Sequence, residues 1–145
     1  MTAAWGGRVF IADTSAWMRS DAPRLRSLWT SAIAGKQVAT CPIVALEILR
    51  DARDGADFDV KTETLATLRD IPITRAVTNA ALTAYRELAH RQPLLHRSVK
   101  LPDVLIAAAA AEAGVGVLHY DADYDTLATV LRFESRWIAR RGSLA

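Results

Sequence analysis

One cysteine in 145 residues, Cys41, leaves no internal disulfide and no multi-cysteine zinc site. Long apolar runs are also missing. The longest, residues 104–111, is less than half the roughly 20 residues a membrane-spanning helix needs. Residues 1–8 lack the apolar core of a secretory signal, so a cytoplasmic protein is the default expectation. The three histidines, His90, His96 and His119, are scattered without the His-x-x-x-His spacing of a zinc hydrolase, and each is expected at the surface or in packing. Cys41 precedes a helix start, where a thiol can be activated, but it has no obvious histidine partner and reads as a buried structural residue. No G-x-x-x-x-G-K-[ST], G-x-G-x-x-G or G-x-S-x-G occurs, which removes the usual signals for P-loop, dinucleotide-binding and nucleophile-elbow proteins.

What is present is apolar mass and arginine. Hydrophobic residues make up 51% of the chain, enough for a real core, which excludes intrinsic disorder. The length fits one domain, expected to span residues 1–145. Of 18 basic residues 15 are Arg, whose planar fork suits phosphate, although a GC-rich genome also enriches Arg. The net charge of +2 says little by itself.

Strand and helix patterns alternate. Residues 8–13 read as a strand whose continuous apolar run, Val9 to Ala12, suits a parallel strand buried on both faces. Leu25, Leu28, Trp29, Ala32 and Ile33 mark one face of a helix over 23–34, stopped by Gly35. A short strand at 37–41 leads into a helix over 42–52 opened by Pro42. Further helices are predicted at 58–69, along the face Val77, Ala81, Ala84, Tyr85 and Leu88, at 102–113 before Gly114, and near 124–130. Strands are predicted at 71–74, at 115–120 and around Trp137 and Ile138, and 92–101 is read as a polar, basic loop. This order predicts an α/β fold, a three-layer α/β/α sandwich with a mainly parallel central sheet. Chemistry in such sheets gathers beyond the carboxyl ends of the strands.

Five acids stand in costly places. Glu47 is flanked by apolar residues throughout 43–49, and Asp103 opens the nearly all-apolar helix 102–113. Asp13 and Asp121 each end a predicted strand, and Asp123 follows Asp121 at i+2. Singly, each has a plain explanation. Glu47 suits an ion pair or a narrow solvent stripe, Asp103 suits the helix dipole, and Asp13, Asp121 and Asp123 suit caps and turns. Together, at one sheet edge, they would repel strongly unless a cation joined them. Carboxylate oxygens select hard ions such as Mg²⁺ or Mn²⁺, which bind phosphate oxygens and activate water. Removing these five acids from the charge sum leaves 18 basic against 11 acidic residues, a basic surround suited to a nucleic-acid backbone. Arg97 and Lys100 are the first choices for phosphate contacts, with an ordinary solvated loop as the alternative.

These residues, in this order, resemble the PIN-domain nucleases, most closely the VapC-type toxins of bacterial toxin–antitoxin pairs. The matching segments are residues 9–15, the helix holding Glu47, residues 102–108 and residues 118–125, nearly the whole chain. The resemblance implies endonucleolytic cleavage of RNA with Mg²⁺ or Mn²⁺. The four acids expected to hold the metal are Asp13, Glu47, Asp103 and Asp121, with a more variable fifth catalytic acid at Asp123. The hydroxyl beside the first acid maps to Thr14 or Ser15. Many relatives place Ser or Thr two residues before the fourth acid, where this chain has His119. The resemblance further implies a VapB-like antitoxin partner and a homodimer, with no membrane role. Independently, residues 43–49 carry more apolar surface than the core can use. With Phe58, Val60, Leu65 and Leu68 they are expected to form a groove for a partner segment. The alternatives are a housekeeping PIN nuclease in RNA processing and a non-catalytic α/β binding module, which should gain no stability from Mn²⁺.

Overall fold

A computed structural model describes residues 4–144. The first strand, β1, is Phe10–Ala12, and the chain turns after it into a single-turn helix, α1 (Thr14–Trp17). Helix α2 (Pro23–Ala34) returns it to β2 (Val38–Thr40), followed by α3 (Pro42–Arg50), α4 (Gly55–Ala66) and β3 (Arg69–Asp70). The second half runs α5 (Arg75–Arg91), α6 (Leu101–Ala113), β4 (Gly116–His119), α7 (Asp123–Leu127) and β5 (Ser135–Trp137). Among the described residues no helix is long and apolar enough to cross a membrane.

All five strands are parallel, in the order β3-β2-β1-β4-β5. The chain winds outward from β1 to β3, then crosses back to lay β4 on the other side of β1. The β1–β4 junction is therefore the topological switch point, where a crevice opens beyond the strand ends. Side chains alternate across the sheet. Ile11, Ala39 and Val117 join one core with α5, α6, Tyr124 and Leu127, whereas Phe10, Ala12, Val38 and Leu118 join a second with Leu25, Ala32 and Ile138. Two cores on two faces are the three layers predicted from the alternating pattern. Gly116 permits the close approach of β4 to β1, because a Cβ there would lie 2.6 Å from the Phe10 ring.

The boundaries differ from the sequence reading where side-chain pattern carries no signal. The strand expected at 71–74 is instead β3, Arg69–Asp70, and the helix expected to reach 69 ends at Ala66. Both β3 side chains are exposed, so only backbone pairing with Ala39 and Thr40 makes this edge a strand. Ile71 is buried all the same, in extended chain leading to Thr74, whose hydroxyl caps α5. Helix α4 starts at Gly55 rather than 58 because the Asp54 side chain accepts the Asp57 N–H at 2.8 Å. Helix α7 stops at Leu127, short of 130, and the basic loop contains a 3₁₀ turn, Leu95–Ser98. Helix α3 is also less enclosed than its composition implied. Only Val44 is fully buried, and Leu46 is 66% exposed.

Candidate metal-binding and catalytic site

All five predicted acids lie at the carboxyl edge of the sheet, around the β1–β4 crevice. Asp13 leaves the end of β1 and caps α1, its Oδ2 accepting the Ser15 N–H at 3.0 Å and the Ser15 hydroxyl. The plain capping role and a place at the crevice therefore coexist in one residue. Asp103 sits in the first turn of α6, 5% exposed, delivered to the crevice by a helix whose next seven residues are nearly all buried. That helix ends at Gly114, in the left-handed conformation that glycine adopts without strain. Asp121 follows β4, and its Oδ1 accepts the Asp123 N–H at 3.0 Å.

Asp103, Asp121 and Asp123 each offer an oxygen within 4.8 Å of the others, close enough for one ion to touch all three. Asp13 joins them through Tyr124. This buried phenol donates to Asp13 Oδ1 at 2.7 Å and lies 3.2 Å from Asp103 Oδ1. Glu47 stands at the margin, half-buried on α3, where its Oε1 accepts the Thr14 hydroxyl at 3.2 Å. Among the described residues no arginine pairs with it, so the ion pair weighed for Glu47 is not formed. The structure thus groups three acids tightly, ties a fourth to them by one hydroxyl, and leaves Glu47 outside the closest group.

Lys100 is turned inward rather than held out for phosphate. Its ammonium lies 2.8 Å from Asp121 Oδ2, 3.2 Å from Asp123 Oδ2 and 3.8 Å from Asp103 Oδ2, and its backbone N–H also bonds Asp123. Arg97 is exposed on the 3₁₀ turn. One ammonium cannot neutralise the cluster. Burial, then the charges of Asp13 and Asp121, push the Asp103 carboxyl up to about 8, so it is largely protonated at neutral pH. Burial and Asp13 also raise Glu47, partly offset by the Thr14 hydroxyl. Burial works upward on Asp121 too, but the Lys100 hydrogen bond and charge outweigh it and hold this carboxyl below its usual range. Asp103 Oδ2 is buried and has no hydrogen-bond partner. Protonation relieves the cost of that burial in the protein alone, and a hard cation would stabilise the ionised carboxylate instead.

The PIN domain family profile matches residues 10–130, the span that carries all five acids. The chain belongs to the PIN-domain family. It is 40% identical to Ribonuclease VapC18 of Mycobacterium tuberculosis, over 94% of this chain and 99% of that relative. It is 34% identical to Ribonuclease VapC51 of the same organism, over 93% and 96%. Among solved structures, VapBC-5 from M. tuberculosis superposes with a TM-score of 0.66 at 20% identity, covering 90% of this chain and 98% of that one. DNA-bound VapBC from Salmonella typhimurium gives 0.69 at 17% identity, covering 88% and 98%. At those identities the two superpositions establish a shared fold.

In this PIN domain His119 takes a definite role. It is fully buried, and its Nδ1 accepts the Asp121 N–H at 3.1 Å. That assigns the proton to Nε2, which donates to the Ser135 hydroxyl at 2.8 Å, and Ser135 in turn donates to Asp125 at 2.7 Å. Burial lowers the imidazole to about 4, so it stays neutral. A neutral histidine thus fixes the backbone of the fourth acid and supplies no hydroxyl to the crevice. The two hydroxyls beside Asp13 divide their work, Ser15 bonding Asp13 and Thr14 bonding Glu47. Cys41 is fully buried and burial raises its thiol to about 11, which makes it unreactive. Tyr124 was legible only as a helix residue. An aromatic one residue beyond the second Asp of Asp-x-Asp gives no advance notice that its hydroxyl will reach two carboxylates.

Proposed function

We propose that this PIN domain is the toxin of a toxin–antitoxin pair, a divalent-cation-dependent endoribonuclease that hydrolyses RNA phosphodiester bonds. The observation that carries the reading is Asp103. A carboxyl from an apolar helix is buried within reach of two further acids, a group that only a cation would let ionise together. The all-oxygen donor set fits Mg²⁺ or Mn²⁺ rather than zinc. Asp103, Asp121 and Asp123 would hold the ion, with Asp13 and Glu47 joining directly or through water. When bound, it would lower the pKa of a water and offset charge on the phosphodiester under attack.

The protein's own groups divide the remaining work. Tyr124 keeps Asp13 and Asp103 in register, and His119 keeps the Asp121 backbone in place. Glu47 is the better proton acceptor for the attacking water. Burial and the charge of Asp13 raise its carboxyl above the usual range, whereas Asp123 Oδ2 already accepts two hydrogen bonds from Lys100. The Lys100 side chain is 64% exposed, so it can leave the carboxylates and meet the RNA backbone at the rim. Hydrolysis of RNA is expected to stop on chelation with EDTA and to return with Mg²⁺ or Mn²⁺. Full activity after thorough chelation would exclude this chemistry.

The antitoxin surface we propose is the groove between α3 and α4. Leu46, Phe58 and Val60 are 66%, 43% and 61% exposed, and a cavity of about 510 Å³ opens beside Leu46, Leu49, Leu65 and Leu68. An apolar segment of a VapB-like protein would cover these side chains. A cationic residue on that segment would be drawn to the acids and could take the place of the metal.

A further inference from the structure

On the β5 side of the acid cluster, two guanidinium groups flank a pair of aromatic rings in one row. Arg19 Cζ lies 4.3 Å from the centre of the Tyr120 ring. Tyr120 meets Trp137 edge-on at 5.5 Å, and Arg141 Cζ lies 5.7 Å from the Trp137 ring. Each member is held by a second contact or by its place in the chain. Arg19 Nη1 donates to the Ser15 carbonyl at 3.1 Å, the Tyr120 hydroxyl accepts the Leu144 N–H at 2.9 Å, and Trp137 Nε1 donates to Asp125 at 2.9 Å. Arg141 follows from the end of β5.

The row is tied to the acids at both of the strands that flank the switch point. Ser15, which carries Arg19, donates its hydroxyl to Asp13 and accepts the Tyr120 N–H at 2.9 Å. Tyr120 directly precedes Asp121. Neither Arg19 nor Arg141 forms an ion pair with any carboxylate among the described residues. Arg19 Nε is in addition buried without a hydrogen-bond partner. Two guanidiniums with no carboxylate partner, held beside the crevice, are suited to an anionic chain. Cation–π contact with a ring restrains each guanidinium, so part of the ordering cost of gripping a phosphate is already met. Aromatic rings combined with a cationic groove are the usual means of following a single strand without reading its sequence.

We propose that Arg19, Tyr120, Trp137 and Arg141 form the track for single-stranded RNA on the β5 side of the scissile phosphate, with Arg19 and Arg141 holding backbone phosphates. This rests on the nuclease reading above and adds to it the direction in which the strand leaves the carboxylates, toward β5.

The test is binding of a short mixed-sequence single-stranded RNA to the full chain carrying Asp103→Asn, which prevents turnover. Arg19→Gln and Arg141→Gln are each expected to weaken binding about tenfold and to lower the salt-dependence slope by about 1. Arg19→Lys should keep the slope and recover part of the affinity. In the active background both glutamine variants should raise KM far more than they lower kcat, with the Mn²⁺ midpoint unchanged. Arg141 is exposed, so its variant decides even if the Arg19 variant folds poorly. Wild-type affinity and salt slope in a folded Arg141→Gln overturn the track. Failure of the unsubstituted protein to cleave any RNA with Mn²⁺ overturns the nuclease reading instead, so the two failures are distinct.

Discussion

At the scale of single residues, Asp103 and Lys100 define the state of the metal-free site. Asp103 has an ordinary carboxyl pKa of 3.8 and is held near 8 in the fold. Between those values the folded protein keeps a proton that the unfolded chain releases. Stability therefore falls as pH rises through this window, and the loss is complete above about pH 8. Glu47, shifted in the same direction, adds to the fall. The metal-free melting temperature should drop between pH 5 and pH 8, and Asp103→Asn should flatten that slope; an unchanged slope in the variant would place the effect elsewhere. Lys100→Met removes the internal cation that competes for the carboxylates. Mn²⁺ should then bind about tenfold more tightly by calorimetry, while the metal-free protein melts lower. Weaker Mn²⁺ binding by a folded Lys100→Met would show that the lysine supports the metal rather than standing in for it. None of this internal pairing was legible in the sequence, because Lys100 and Asp121, 21 positions apart, close up only through the connection from α6 to β4.

At the scale of elements, most of the fold was legible where burial imposes a pattern. Buried β1 and β4, the apolar α6 with its glycine stop, and the stripe on α5 all lie where periodicity placed them. The edge strand β3 was displaced in the reading because its two exposed polar side chains leave no pattern, and α1 was missed because one turn is too short for a period to show. The excess apolar surface on α3 was legible as well, although the helix is more open than expected. Leu46→Lys and Phe58→Lys alter side chains that the isolated protein leaves exposed, so folding should survive. Each should weaken binding of a VapB-like antitoxin by about tenfold or more. Toxicity on expression should correspondingly escape rescue by co-expression. Unchanged affinity in both folded variants would remove the groove from the interface.

At the scale of the whole molecule, topology converts scattered acids into one site. Strand order brings the end of β1 beside the end of β4, and the first turn of α6 arrives over the same crevice. The set of acids was legible because each stands where an isolated charge is expensive. Their division into a close trio, a Tyr124-linked Asp13 and a marginal Glu47 was not, since sequence order carries no distances. Apart from the five acids the chain carries 18 basic against 11 acidic residues, a balance that favours a polyanionic partner. The most direct test of the claim that this crevice is the catalytic centre is RNA cleavage by purified wild type and Asp103→Asn, side by side in Mn²⁺. The wild type should cleave, and the variant, folded and equally pure, should fall by more than about a hundredfold because its amide cannot replace a carboxylate at the cation. Cleavage by Asp103→Asn at the wild-type rate would contradict the account.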